Sequence, residues 1–328
     1  MPEKFIEQLK TFDKILLTPH ENPDADAIGS ALGLAWHLYS LGKEFRIIIS
    51  PIMPGFLEFL DTRGWIEIYN PDTHKDIASW PECWVMTDAS DPDRLGHLKD
   101  SFIATAATRA FIDHHLHGGK DCFHFSYLNT EASSTCELVT EALEDYPNMP
   151  GAMAQALYAG IVDDTGNFRF SNTTSKVFRM VAGLLESGVE PDTVNRCLYN
   201  QGTLARMRLT ARVIERMSMY ADERLAVLTA SLDDLESVGA TPDDLEGLVS
   251  RPLELRTVEV SALVYEKPDG TIKVSMRSKL EVNVNTICRS FGGGGHRLAS
   301  GAKFDKPMKE VLDLVIPAMV SAIENYKK

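Results

Sequence analysis

Acids and histidines recur along this chain in places where together they could hold metal ions. The run His20-Glu21-Asn22-Pro23-Asp24-Ala25-Asp26 comes first. Asp88, Asp113-His114-His115 and Asp163-Asp164-Thr165-Gly166 follow at wide intervals. Carboxylate oxygens mixed with imidazole nitrogens suit Mn2+, and also Mg2+, Zn2+ or Fe2+. No cysteine belongs to the set, which argues against a structural zinc site. One ion needs about three protein groups plus water, so these residues suffice for two ions sharing a bridge. Such a pair activates a water and holds the leaving oxygen in a phosphoryl displacement. Each residue alone has a plainer reading. An Asp after a strand is often a helix N-cap, Asp-His-His could be a surface turn, and Asp163-Asp164 could merely end a helix. All of these would then share their placement at element ends by coincidence.

A second cluster is Phe291-Gly292-Gly293-Gly294-Gly295-His296. Glycines let backbone approach a ligand closely, and successive amides can cradle an anion. Upstream, Ser275-Met276-Arg277-Ser278 offers a guanidinium, which suits phosphate, and hydroxyls. The plainer readings are a flexible linker for the glycines and a surface ion pair for Arg277.

The elements that must position these groups are legible in the pattern. Residues 14–18 form a short apolar strand. Residues 26–41 form a helix, with Ile28, Leu32, Ala35 and Tyr39 at helical intervals and Gly42 as the stop. Strand-like runs follow at 45–49, 84–87 and 109–112. This alternation implies βαβ units and a mainly parallel sheet, whose loops past the strand carboxyl ends converge on one crevice. Helices are expected at 152–162 and 174–186, and an Arg-rich, largely helical connector at 191–219. Strands at 225–229, 259–265 and 271–276, a turn at 267–270, helix-like 282–290 and a helix at 307–325 make a smaller α/β domain.

The chain has 328 residues, 44% of them hydrophobic, which is enough for two domains. No apolar run approaches the roughly 20 residues of a membrane helix, and the acidic, helix-patterned N-terminus does not read as a secretory signal. Five scattered cysteines fit reduced thiols in a cytoplasmic protein. A net charge of −14 favours a small anionic ligand over long nucleic acid.

Taken together, these residues resemble the DHH/DHHA1 phosphoesterase superfamily over nearly the whole chain. His20-x-x-Pro23-Asp24-x-Asp26-Ala27-Ile28-Gly29-Ser30 is similar to its first motif, and Asp88 to the second. Asp113-His114-His115 is similar to the third and Asp164-Thr165-Gly166 to the fourth. Gly292–His296 with Leu298-Ala299-Ser300-Gly301-Ala302 resembles the DHHA1 hallmark. Ala25 stands where many relatives have glycine.

The resemblance implies an α/β chain with a parallel-sheet DHH catalytic domain at 1–190. A helical linker at 191–219 and a smaller α/β DHHA1 substrate-binding domain at 220–328 complete it. It implies two divalent ions, Mn2+ foremost, with Mg2+, Co2+ or Fe2+ as alternatives. His20, Asp24 and Asp88 would hold one ion. Asp26, Asp88, His114 and Asp164 would hold the other, with Asp88 bridging. His115 would contact the phosphate or leaving group and Asp113 would orient His114. Arg277, Ser278, the amides of Gly292, Gly293, Gly294 and Gly295, and His296 would recognise substrate.

The two-domain length is most similar to bacterial nanoRNase (oligoribonuclease)/pAp phosphatases. This implies hydrolysis of RNAs a few nucleotides long or of 3′-phosphoadenosine 5′-phosphate (pAp). Cyclic or linear dinucleotides, pyrophosphate or polyphosphate are alternative substrates. A non-catalytic nucleotide sensor is the alternative of another class. No membrane is implied, and a homodimer is the family's frequent assembly.

Overall fold

Strand runs such as Cys83–Thr87 are apolar up to a closing threonine and wholly buried, the pattern of a parallel strand covered on both faces. The computed structural model describes residues 2–116, 122–144, 146–279 and 281–326, in two compact units, Met1–Gln201 and Gly202–Lys328.

The first unit runs α1 (Pro2–Leu9), β1 (Lys14–Pro19), α2 (Ala25–Ser40), β2 (Glu44–Ile49), β3 (Ile66–Ile68), β4 (Cys83–Thr87), α3 (Lys99–Ala104) and β5 (Thr108–Asp113). It continues through β6 (Phe125–Leu128), α4 (Thr135–Ala142), α5 (Gly151–Asp164), α6 (Ser175–Glu186) and α7 (Pro191–Tyr199). The strands form one parallel sheet in the order β3-β2-β1-β4-β5-β6. Side chains alternate between its faces. Ile15, Leu17 and Val85 pack under α2, α4 and α5, while Leu16, Trp84 and Met86 pack on the other face with Phe102 of α3. The order turns back at β1 and β4, which are neighbours, and a crevice opens beyond their carboxyl ends at such a switch point. A buried bond from Trp84 Nε1 to Thr18 Oγ1, 2.8 Å, ties those two strands together.

The second unit runs α8 (Leu204–Glu215), β7 (Ser218–Tyr220), β8 (Leu225–Ala230), α9 (Leu232–Glu236) and β9 (Val260–Glu266). Then come β10 (Ile272–Ser278), α10 (Val284–Ser290), β11 (Gly294–His296), β12 (Ala299–Phe304) and α11 (Met308–Tyr326). Its sheet has the order β11-β12-β10-β9-β8-β7, with β8 and β9 parallel and the other pairs antiparallel. The 267–270 turn closes the β9–β10 hairpin, with the Lys267 amide donating to Thr271 O at 2.8 Å.

Several elements differ from the pattern. The 191–219 stretch holds two helices broken at 200–203. One falls in each unit, and residues 218–220 are already strand. Strands β3 and β6 and helix α4 carry weak signals. The two strands are short, partly exposed edges, where no strict alternation is enforced. Ala25 opens α2 with ordinary backbone, so glycine's positive φ is not required there. Among the described residues no helix is long and apolar enough to cross a membrane.

His37 of α2 is buried with neither ring nitrogen hydrogen-bonded. Burial first, then the Lys10 charge, pull its pKa down to about 4, against the opposing charge of Glu7. The unfolded chain takes that proton near 6.5 and the folded chain resists it. The native state therefore keeps this contribution above pH 6.5 and loses it as pH falls toward 4. Replacing His37 by Phe should flatten the loss of melting temperature between pH 7 and 4.5. Parallel wild-type and variant curves would contradict the assignment.

Candidate metal centre

The switch-point crevice collects the first-half motif residues. His20 follows β1 and Asp24 caps α2, accepting from the amides of Asp26 and Ala27. Asp88 follows β4 in the left-handed region at φ +58, where Asp is tolerated better than most residues. Its amide donates to Ile112 O, 2.9 Å, on neighbouring β5. Asp113 ends β5, and Asp164 is the last residue of α5.

Three imidazoles face the Asp88 carboxylate, His20 on one oxygen and His114 and His115 on the other, with His115 Nδ1 3.5 Å from Oδ1. Its Oδ2 lies 3.4 Å from His20 Nε2 and its Oδ1 lies 3.6 Å from His114 Nε2. His20 Nε2 also faces Asp24 at 3.7 Å, and His114 Nε2 faces Asp164 at 3.0 Å and Asp26 at 3.9 Å. The donor atoms of His20, Asp24 and Asp88 lie within 4.8 Å of one another, as do those of Asp26, His114 and Asp164.

Donors that the sequence did not advertise hold these carboxylates. Thr135 and Cys136, at the start of α4, give their amides to the two oxygens of fully buried Asp26, at 2.6 and 2.7 Å. Thr135 Oγ1 donates to Asp88 Oδ1 at 2.9 Å. Only the Ser134 cap with Glu137 three residues on, a capping pattern, hinted at a helix there. Close approach matters as well. A Cβ at Gly160 of α5 would lie 2.4 Å from Cys136 Sγ and 2.8 Å from Asp26.

Asp113 corrects one expectation. Its Oδ1 accepts from the His115 ring Nδ1 at 2.9 Å and from the His115 amide at 3.0 Å. It does not orient His114, whose Nδ1 faces Ala132 O at 3.4 Å. An aspartate after a strand reaches the amide two residues on, so residue 115 is the natural partner. Burial opposes ionisation of Asp113, but the His115 bonds and Ser90 hold its carboxyl below the usual range. The Nδ1 proton of His115 is thereby fixed and its Nε2 left available, on a side chain 47% exposed.

The electrostatics fit a cation. Burial first, then the charges of Asp88 and Asp164, push the Asp26 carboxyl well up. Burial likewise raises Asp164, with Asp88 adding to it. Asp163 is pushed up to about 6 by burial and by Asp24. Burial would lower both imidazoles, but Asp24 and Asp88 carry His20 up to about 10, and Asp164, Asp26 and Asp88 carry His114 up to about 9. A field that holds protons this strongly also attracts a divalent ion, which displaces them. Both Nε2 atoms are buried without a well-angled hydrogen bond. No lysine or arginine pairs with Asp24, Asp26, Asp88 or Asp164 among the described residues. The residues fit a pair of divalent ions.

In the second unit, Arg277, Ala299 and His296 stand in register on β10, β12 and β11, and so share one face. Ser278 alternates to the opposite face, where it is buried, so it does not join Arg277 in one platform. The glycine amides are partly spent. Gly292 donates to Arg289 O at 3.1 Å and Gly293 to Cys288 O at 2.8 Å, closing α10. A Cβ at Gly293 would lie 2.2 Å from Gly301 O, so that glycine lets the turn between α10 and β11 lie close against β12. Gly294 and Gly295 belong to edge strand β11.

The model of the DHH family, N-terminal domain, matches residues 14–161, and that of the DHHA1 domain matches residues 224–326. The chain is 31% identical to the bifunctional oligoribonuclease and PAP phosphatase NrnA of Thermus thermophilus, over 92% of this chain and 89% of that one. It is 28% identical to the cyclic-di-AMP phosphodiesterase GdpP of Geobacillus thermodenitrificans, over 89% of this chain and 44% of that longer one. A crystal structure of an exopolyphosphatase-related protein from Bacteroides fragilis superposes with a TM-score of 0.89 and 28% identity. That match covers 99% of this chain and 96% of the other.

Gly160→Ala should destabilise the protein by about 1–3 kcal/mol, the usual range for overpacking, and reduce the metal retained per chain. Unfolding curves and elemental analysis of the purified variant check both. An unchanged midpoint and full metal content would show that the approach to Asp26 is not tight.

Proposed function

The chain belongs to the DHH family and carries a DHHA1 domain, and from that premise we propose that it hydrolyses RNAs of a few nucleotides and pAp as a metal-dependent phosphoesterase. The observation that carries the reading is Asp88, whose two oxygens face His20 and His114 separately. His20, Asp24 and Asp88 would hold one ion. Asp26, Asp88, His114 and Asp164 would hold the other. Two ions bound there would supply a water of lowered pKa and neutralise charge on the phosphoryl oxygens. Manganese suits the mixed carboxylate and imidazole donors, and the reading places the enzyme in the cytoplasm.

The chain's own groups do the rest. The water loses a proton as its oxygen bonds to phosphorus, and the ester oxygen departs with its electron pair and takes up a proton, with no covalent enzyme intermediate. His115, oriented through Nδ1–H by Asp113, presents its Nε2 to the phosphate or the departing oxygen. Thr135 keeps Asp88 from rotating, and the α4 amides keep Asp26 in place. Arg277 and His296, with the Gly294–Gly295 backbone, would recognise the substrate's terminal phosphate or base.

Likeness to GdpP supports a second reading, hydrolysis of cyclic or linear dinucleotides. Release of mononucleotides and phosphate with Mn2+ should be measured from pAp, pApA, pGpG, cyclic di-AMP, polyphosphate and an RNA length ladder. Steep preference for the shortest RNAs, with or without pAp, is expected. Cleavage of cyclic di-AMP ahead of these would favour the second reading. Turnover of polyphosphate alone would refute both, and tight nucleotide binding without product would mark a sensor. Arg277→Ala should raise KM about 10- to 100-fold with little change in kcat, the size of a lost charge-assisted bond made equally in ground and transition states. A fall confined to kcat would instead put Arg277 at the reacting phosphate.

A further inference from the structure

One side chain joins two backbone carbonyls on opposite sides of the metal centre. Asn172 lies between α5 and α6. Its Nδ2 donates to Asp164 O at 3.1 Å and to Ser133 O at 3.2 Å. Asp164 ends α5, so its carbonyl has no donor within the helix. Ser133 leads into the turn whose amides hold Asp26 and whose Thr135 hydroxyl holds Asp88. The Ser133 amide is itself fixed, donating to Oε2 of buried Glu137 at 2.7 Å, and Glu137 Oε1 pairs with Lys176 Nζ at 3.0 Å. Ser133 is thus gripped from both sides.

The orientation of the Asn172 amide follows from its partners. Reversed, its oxygen would face two carbonyls with no proton between them. Its Oδ1 is buried without a hydrogen-bond partner, so the group acts here through its two N–H bonds.

We propose that Asn172 is a positioning residue of the metal centre. By joining the Asp164 and Ser133 carbonyls it sets the spacing between Asp164 with His114 and the α4 donors that hold Asp26 and Asp88. The proposal rests on the two-metal reading above. Asn172 acts through the ligands and touches no substrate. The two amide hydrogens match two carbonyls. Serine would supply one donor and alanine none, while aspartate would set a negative oxygen against both.

The test titrates metal-free wild type, Asn172→Ser, Asn172→Ala and Asn172→Asp with Mn2+ by calorimetry. The paramagnetic resonance of bound Mn2+ is recorded at partial and full loading. Affinity for the weaker ion should fall in the order wild type, Ser, Ala, Asp, by about 10- to 100-fold in all, as for other partners of metal ligands. The spin-coupled signal of an ion pair should weaken in the same order. Aspartate is nearest to asparagine in shape, so a packing role would make it the mildest change. An Asp variant that binds as well as or better than Ala overturns the proposal. Should the Asp variant not fold, equal affinities for Ser and Ala overturn it. Wild type that never takes up two ions would instead remove the two-metal reading, an outcome distinct from equal binding by all variants.

Discussion

Like charges gathered in a buried crevice repel one another and lose their hydration, and the first unit is organised around that cost. Asp26 and Asp88 are almost fully buried, with Asp24 and Asp164 beside them. The protein could relieve the strain with arginine or lysine, but among the described residues it sets none against these carboxylates. It places neutralisable imidazoles there instead. Burial would lower the pKa of His20 and His114, but the surrounding carboxylates carry both upward, and in the proposed two-ion site the same nitrogens would serve as ligands. A buried anionic cluster whose compensating charge is removable is a site held ready for a cation.

Holding such a cluster in place demands donors that do not move. Backbone amides serve this best, because the sheet and helices already fix them. The amides of Thr135 and Cys136 fix Asp26, and the Asp26 and Ala27 amides fix Asp24. These positions follow from the strand order. Adjacency of β1 and β4 brings the His20 loop and Asp88 together, and β5 beside β4 brings Asp113 to His115 within reach. Glycine at 160 lets α5 approach the base of Asp26, so the helix that ends in Asp164 packs against the element that carries Asp26.

The second unit shows how local geometry filters a motif. The glycine run looks in sequence like an open anion cradle. In the fold, two of its amides close α10, and Gly293 and Gly295 are needed because other backbone lies against each of them. What remains presented is a register row of Arg277 and His296 on either side of Ala299. Ser278 shares the motif but not the face, since neighbouring residues on a strand point opposite ways.

The sequence by itself determined the inventory: which acids and histidines exist, their order, and their places at the ends of apolar strands and helices. Short-range physics writes these signals, in runs such as Ile15–Leu17, the Asp24 cap and the Gly42 stop. The parallel sheet, most of its strands and all the ligand candidates were therefore legible. Edge strands β3 and β6 were not, because half-exposed, three- or four-residue strands carry little pattern. Nor were Thr135, Cys136, Ser133 and Asn172, whose contributions are made largely by main-chain groups or to main-chain groups. Every residue has those groups, so no residue type marks them. Tertiary structure decided that Asp88 splits its oxygens between His20 and His114, that Asp113 holds His115, and that Ser278 turns inward. Each of these depends on distances and directions between segments, which spacing along a chain does not encode.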